Sequence, residues 1–182
     1  MNNLIIRHAH ICTPQGREAL KGEDMSHLTE IYDGFIVIED GIITYVGEDS
    51  DMPTLPSDKF YEEIDAQGNA VLPGFVDSHT HLIFGGYRPD EFEWRMKGDT
   101  YMSIMERGGG IQSTVNATRE ATVRELQTKA QWFINRMLHD GVTTVEAKSG
   151  YGLSLESELK MLDAIQALAE DPEQKIRIVS TF

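Results

Sequence analysis

The sequence predicts an α/β protein, namely an incomplete TIM-type (β/α) barrel preceded by a small β-sandwich-like unit. The first roughly 65 residues contain extended segments and turns. From residue 70 onward the order is strand, helices, strand, helix, strand, which indicates parallel β/α units with right-handed crossovers. A closed barrel of eight strands needs about 250 residues, and residues 70–182 hold three barrel-type strands. We therefore expect two domains, at residues 1–68 and 69–182.

The clearest element of the first domain is a β-hairpin. Phe35–Glu39 and Ile42–Val46 are rich in β-branched residues, and Asp40-Gly41 between them suits the positive φ angles of a two-residue type I′ turn. The other predicted segments are a strand at residues 4–11, a turn at 13–16, an irregular connection over 17–33, a loop over 48–60, and extended chain at 61–65 and 69–72.

The first strand contains two histidines and the single cysteine of the chain. His8 and His10 share a strand face, but no glycine-rich exit follows them, so they are interpreted as ordinary strand residues. Cys12 lies beside an isoleucine and is predicted to be a buried, inert thiol. Because it is the only cysteine of the chain, no internal disulfide can form, which fits a reducing compartment.

The second domain is predicted from hydrophobic periodicity. Leu72–His81 has the pattern of a buried strand, and 142–147 and 175–182 are two further core strands. Helices are predicted within 89–107, in two pieces split near Gly98, and at 113–121 and 123–139. A further helix is predicted to begin after the capping residue Ser154. The last helix carries an apolar stripe, predicted to pack inward, of Leu155, Leu159, Leu162, Ile165 and Leu168.

Charge and composition exclude some classes of partner. The net charge is −14, with 30 acidic and 16 basic residues, which argues against nucleic acid or an anionic membrane as the main partner. The N-terminus lacks the apolar segment of a signal peptide, and no run approaches 18 apolar residues. We expect a cytoplasmic protein.

The candidate site begins at His79 and His81, where the first barrel strand emerges from the core. Side chains alternate along a strand, so both imidazoles point the same way, at the strand end where α/β barrels place their chemistry. Imidazole suits zinc or iron. Such a metal lowers the pKa of water toward about 7 and turns it into a nucleophile.

The exit loops add candidate substrate contacts. Arg88 offers a planar fork for a carboxylate, although exposure to solvent or pairing with Asp90 or Glu91 is an equal alternative. Tyr151 offers a phenol, or it packs on a neighbouring helix. Lys148 is interpreted as a salt-bridge lysine, with a carbamylated metal bridge as the alternative. Glu146 points into the barrel or pairs with a cation. No Ser-His-Asp set is present, so nucleophilic hydrolase chemistry is weakly supported.

Three motifs carry a resemblance to a known family. Pro73–His81 after a small β unit resembles the amidohydrolase superfamily of metal-dependent hydrolases. Closer still, residues 79–88, Gly108–Thr114 and Glu146–Leu153 together resemble the imidazolonepropionases, which convert 4-imidazolone-5-propanoate to N-formimidoyl-glutamate in histidine degradation. The resemblance covers all 182 residues, as the N-terminal portion of such an enzyme.

The resemblance implies roles for individual residues. His79 and His81 would bind one zinc or iron ion, Arg88 would bind the substrate's propionate, and Tyr151 would contact substrate, with Tyr101 as a weaker candidate. Carbamylation of Lys148 is not expected, because the site resembles the mononuclear type. A small-molecule substrate with a carboxylate is the implied partner, which Arg88 and Tyr151 favour over a nucleobase.

The chain, at 182 residues, is short for the family it resembles. Members of the family are about twice as long and supply further metal ligands from later strands, so the catalytic residues are expected beyond Phe182. Two histidines alone cannot complete a four-coordinate site. We therefore expect a fragment without substantial activity, with an empty or weakly occupied metal site, and with exposed edges that favour a homo-oligomer or aggregation. The alternatives are a non-catalytic remnant and another amidohydrolase, such as a nucleobase deaminase.

Overall fold

The computed structural model describes residues 3–14, 16 and 18–182. The chain forms two compact units, Met1–Pro73 and Gly74–Phe182. The sequence placed the boundary after residue 68; the first unit runs slightly further because Ala70 and Val71 still pair with the first strand. No helix in the described part of the chain is both long and apolar enough to cross a membrane.

The first unit is a five-stranded sheet. Its strands are β1 (Asn3–Pro14), β2 (Leu28–Glu39), β3 (Ile42–Glu48), β4 (Tyr61–Asp65) and β5 (Ala70–Val71), with short 3₁₀ helices at Gly22–Ser26 and Asp49–Asp51. The order is β3-β2-β1-β4, and β5 also pairs with β1. The predicted hairpin is confirmed, because Asp40 and Gly41 have φ angles of 52° and 82° between antiparallel β2 and β3.

The irregular connection expected over residues 17–33 is wrong in its second half. β2 begins at Leu28 because β1 pairs with it antiparallel as far as Thr13↔Thr29 and Pro14↔Leu28. The same pairing places Thr13 and Pro14 in a strand, whereas the sequence predicted a turn there. Gln15 and Arg17 lie outside the described residues.

The second unit has the predicted alternation of strands and helices. Its strands β6 (Phe75–Thr80), β7 (Val142–Lys148) and β8 (Arg177–Thr181) form a parallel sheet in the order β6-β7-β8. The helices are α1 (Pro89–Met96), α2 (Tyr101–Glu106), α3 (Ile111–Glu120), α4 (Val123–His139) and α5 (Leu155–Ala169). The C-terminal ends of the strands therefore meet at one edge, as the sequence reasoning requires.

The core of this unit lies between the sheet and the helices α4 and α5. Val145 and Ala147 on β7 are fully buried in this core, so Glu146 between them faces the other side of the sheet. The apolar stripe predicted for α5 is wrong at its start, because Leu155 and Leu159 are 76% and 48% exposed. The buried face of α5 consists instead of Glu158, Met161, Ala164, Ile165 and Leu168.

Helix α4 begins at a capping box. The Thr122 hydroxyl accepts a hydrogen bond from the Glu125 backbone N–H (3.2 Å), and the Glu125 carboxylate accepts one from the Thr122 N–H (2.8 Å). Two backbone donors that a helix start leaves free are thereby satisfied.

The first barrel strand is not buried as predicted. Phe75 and Val76 are 53% and 65% exposed, because among the described residues β6 pairs with β7 alone and forms an edge of the sheet.

Candidate metal and substrate site

His79 and His81 lie together at the C-terminal end of β6. Their ring centroids are 6.0 Å apart, with the rings inclined at 63°. Metal–nitrogen bonds of about 2 Å in a tetrahedral site would place two ring centres roughly 5 Å apart. The pair therefore fits one metal ion after a small movement of one ring.

The main chain fixes the tautomer of His81. Its Nδ1 lies 3.0 Å from the carbonyl oxygen of Ser149 in the exit loop of β7. A carbonyl oxygen only accepts, so Nδ1 is the donor and Nε2 keeps its lone pair. Metal-binding histidines usually have such an outer partner on the second nitrogen. This contact was not predicted from the sequence, because its acceptor is a backbone carbonyl and not a side chain of the loop.

Glu158 holds this exit loop in place. Its carboxylate accepts hydrogen bonds from the backbone N–H groups of Gly150 (2.7 Å), Gly152 (2.8 Å) and Leu153 (2.8 Å). Burial opposes its ionisation, but hydrogen bonds from Leu153, Ser149 and the two glycines outweigh it and lower the pKa of Glu158. A carboxylate on the buried face of α5 thus orders the loop that contacts His81.

Tyr151 and Arg88 share a cavity with His81. The Tyr151 ring lies 5.0 Å from the His81 ring. A cavity of about 220 Å³ is lined by His81, Phe84, Gly86, Tyr87, Arg88, Thr114 and Tyr151. The structure thus brings three predicted site residues together. Neither His79, whose ring lies beside that of His81, nor Tyr101, at the first residue of α2 and 57% exposed, is among the lining residues.

Arg88 is oriented by Glu91. Its Nη1 lies 3.5 Å from Glu91 Oε2, and Glu91 Oε1 accepts a hydrogen bond from the Gly110 N–H in the glycine elbow. Glu91 is 8% exposed. Glu91 is therefore the acidic partner of Arg88, and the ion pair engages one of the five N–H donors of the guanidinium. The remaining donors are available to a ligand.

Lys129 from α4 supports the aromatic wall of the cavity. Its Nζ lies 3.6 Å from the ring centroids of both Phe84 and Tyr87 and donates to the Gly86 carbonyl oxygen. Burial lowers the pKa of Lys129 to about 8, while the two ring faces and the carbonyl favour its charged form. No motif or periodicity in the sequence predicted this contact.

The face of β7 opposite the helices carries an ion pair. Lys148 Nζ donates to Glu146 Oε1, and this hydrogen bond lowers the pKa of Glu146. The structure thus agrees with the interpretation of Lys148 as a salt-bridge lysine, and Lys148 is the cation that pairs with Glu146.

Comparison with known proteins agrees with the motifs. Residues 62–111 match the Amidohydrolase family. An imidazolonepropionase from Phocaeicola vulgatus is 60% identical over 181 residues, and those from Bacteroides thetaiotaomicron and Clostridium tetani are 51% and 48% identical. The matches cover 99–100% of this chain. The resemblance to imidazolonepropionases is confirmed. The chain spans 43% of the length of each of these relatives.

Solved structures confirm the predicted fold class. Escherichia coli guanine deaminase aligns over 99% of this chain and 36% of its own, with a TM-score of 0.61 at 17% identity. A 5-methylcytosine deaminase from Klebsiella pneumoniae aligns over 97% and 35%, with a TM-score of 0.58 at 21% identity. This chain therefore has the α/β fold of one part of each of these larger structures. Relatives of this superfamily are metal-dependent and act on small molecules.

Proposed function

We propose that this chain supplies the metal-binding and carboxylate-binding residues for hydrolysis of a cyclic amidine C–N bond. The reaction is the conversion of 4-imidazolone-5-propanoate to N-formimidoyl-L-glutamate in histidine degradation. The observation that carries the proposal is the cavity shared by His81, Arg88 and Tyr151. Identity of 48–60% to imidazolonepropionases along the whole chain supports it.

His79 and His81 would hold the metal, for which zinc and iron are the proposed ions. The His81 Nδ1 bond to the Ser149 carbonyl leaves the Nε2 lone pair to the metal, so the residues present fit such an ion. When bound, the ion supplies Lewis acidity that activates water for attack on carbon.

Arg88 and Tyr151 would bind and orient the substrate. The guanidinium pairs with a carboxylate in a planar, two-pronged arrangement, and the buried Glu91 holds it at the cavity wall. Tyr151, in contact with the His81 ring, would donate its phenol proton to a polar atom of the ring or its propionate arm. Tyr101 stays a weaker candidate on the substrate side.

A binding experiment tests the carboxylate site. The ligand is 3-(imidazol-4-yl)propanoate, titrated calorimetrically into the zinc-loaded chain, with 4-methylimidazole as the ligand that lacks a carboxylate. A charge-assisted hydrogen bond contributes about 1.5–3 kcal/mol, so Arg88→Met should weaken the carboxylate ligand roughly 10- to 150-fold. Binding of 4-methylimidazole should not change.

Arg95→Met is the matched control, since Arg95 is an exposed arginine of the adjacent helix α1. Equal affinities for R88M and R95M would contradict the role of Arg88. Turnover and metal assays distinguish the alternatives once the chain is completed with the C-terminal part of an imidazolonepropionase, because the chain alone is expected to be inactive. Formation of N-formimidoyl-glutamate supports the proposed reaction, release of ammonia from cytosine supports a deaminase, and absence of metal binding supports a non-catalytic remnant.

A further inference from the structure

Three side chains that commonly bind metals converge in the first unit, on a different sheet from the histidine pair of β6. His10 and Cys12 lie two residues apart on β1, and Glu30 on β2 stands directly opposite Cys12 in the strand register. Alternation along β1 puts the imidazole and the thiol on one face. The neighbouring residues Ala9 and Ile11 are buried in the core on the other face.

The distances within this cluster suit a small coordination sphere. Nε2 of His10 lies 3.1 Å from Glu30 Oε2 and 3.5 Å from Cys12 Sγ. One atom from each of the three residues lies within 4.8 Å of the others. Bond lengths of about 2.0–2.3 Å in tetrahedral zinc sites imply spacings between ligand atoms of roughly 3.3–3.8 Å. The cluster therefore needs little movement to enclose one ion.

The hydrogen-bond pattern argues against a proton relay. Glu30 and Cys12 both approach the same nitrogen, Nε2 of His10. In a relay the carboxylate holds Nδ1 while Nε2 faces the nucleophile. One nitrogen cannot donate to a carboxylate and accept from a thiol at the same time. A cation placed between the three atoms would satisfy all of them.

We propose that His10, Cys12 and Glu30 form a second metal site, specific for a zinc-like divalent transition-metal ion. A thiolate, a neutral imidazole and a carboxylate together carry two negative charges, which balance the ion. Cys12 binds as the thiolate and its proton passes to solvent. The thiol and imidazole select against Mg²⁺ and Ca²⁺, which prefer oxygen ligands.

The surroundings of the cluster leave one position open. Tyr32 stacks on the His10 ring at 4.6 Å with an interplanar angle of 17° and so fixes its plane. The side chains of His10 and Glu30 are 29% and 45% exposed, so water or an external ligand can occupy the fourth position. His8, the nearest other histidine of β1, pairs with Asp65 and Asp49 and does not enter the cluster.

Cobalt(II) titration of the reduced chain tests this site. Cys12 is the only cysteine, so a thiolate-to-cobalt charge-transfer band in the near ultraviolet reports on it alone. We expect the band to saturate at one equivalent and to be displaced by zinc. The variants Cys12→Ser, His10→Gln and Glu30→Gln should weaken binding at least about tenfold, the lower end of what losing even an outer-shell partner costs.

His27→Gln is the matched control, because His27 is a surface histidine of the same unit, 71% exposed. The double variant H79Q/H81Q should keep the band, which separates this site from the proposed catalytic metal. Zinc should also slow alkylation of Cys12 by iodoacetamide in the wild type but not in H10Q. Absence of the charge-transfer band, a band unchanged in H10Q and E30Q, or saturation at half an equivalent through bridging of two chains would overturn the proposal.

Discussion

The Glu158→Gln variant tests whether one buried carboxylate orders the exit loop of β7. In the wild type Oε1 accepts from Gly152 and Leu153, and Oε2 accepts from Gly150. Glutamine keeps one oxygen as an acceptor and replaces the other with an NH₂ group, a donor that faces the Gly150 N–H. Two hydrogen bonds lose their charge assistance, about 1 kcal/mol each, and one buried donor stays unsatisfied, about 1–3 kcal/mol. Allowing for coupling between neighbours, we expect a loss of about 3 kcal/mol.

Thermal unfolding followed by circular dichroism measures this loss. For a chain of this length about 3 kcal/mol corresponds to a decrease in Tm of roughly 6–12 °C. Glu156→Gln is the control, because it removes the same charge from an exposed position in the same first turn of α5. If E158Q unfolds within about 0.5 kcal/mol of E156Q, the loop does not depend on this carboxylate and the reasoning is wrong.

The pH dependence of the same variant supplies a second check. The pKa of Glu158 is lowered in the folded state, so its stabilisation is fully present above the unfolded value of about 4.3 and is lost as the pH falls through the folded value. The Tm difference between the wild type and E158Q should therefore be constant near neutral pH and shrink below about pH 4.3. A Tm difference that stays unchanged in acid would mean that the stabilisation comes from the shape of the Glu158 side chain and not from its charge.

Three further substitutions have distinct expected outcomes. Thr122→Ala removes the capping box with Glu125 and should cost about 1 kcal/mol in urea unfolding; no loss would mean that the cap is dispensable. Gly150→Ala places a Cβ at a φ of +118°, where L residues are strained, so the loop beside His81 must shift; equilibrium dialysis in the H10Q background should show weaker zinc binding, and unchanged binding would count against the importance of the loop. Lys160→Met removes an ammonium that donates to three carbonyls at the end of α3, at 2.8–2.9 Å, and should lower the urea midpoint, whereas an unaltered midpoint would show that water replaces it.

Strand and helix positions followed from local patterns, and tertiary packing decided where those patterns failed. Leu155 and Leu159 have the helical spacing of a buried stripe, yet the contacts of α5 with α4 and the sheet select a face that includes Glu158. Burial of this glutamate follows from the backbone donors of the preceding loop, which no periodicity in the sequence records. β2 begins earlier than predicted because its polar first residues show no strand pattern in the sequence. Their pairing with the long strand β1 supplies the hydrogen bonds that hold them in the sheet.

The candidate site was predictable to the extent that side chains define it. Strand alternation predicted that His79 and His81 lie on one face. The position of Tyr151 in the exit loop of β7 predicted that it lies near them, and the structure has both. The buried Glu91 that orients Arg88 appeared in the sequence only as one of two possible acidic partners. Cys12, predicted to be buried and inert, is half-buried and lies against His10 Nε2, because its cross-strand neighbour is a polar residue of β2.

The acceptor that fixes the His81 tautomer is a peptide carbonyl, which has a consequence for how this site tolerates sequence change. Any of the twenty amino acids at position 149 brings the same oxygen, so point mutations there leave the bond available as long as the loop keeps its path. Genetic drift can therefore alter the side chain of residue 149 without erasing the proton arrangement on the imidazole. Only changes to loop shape, or chemical replacement of that amide by an ester with a weaker carbonyl acceptor, can remove it.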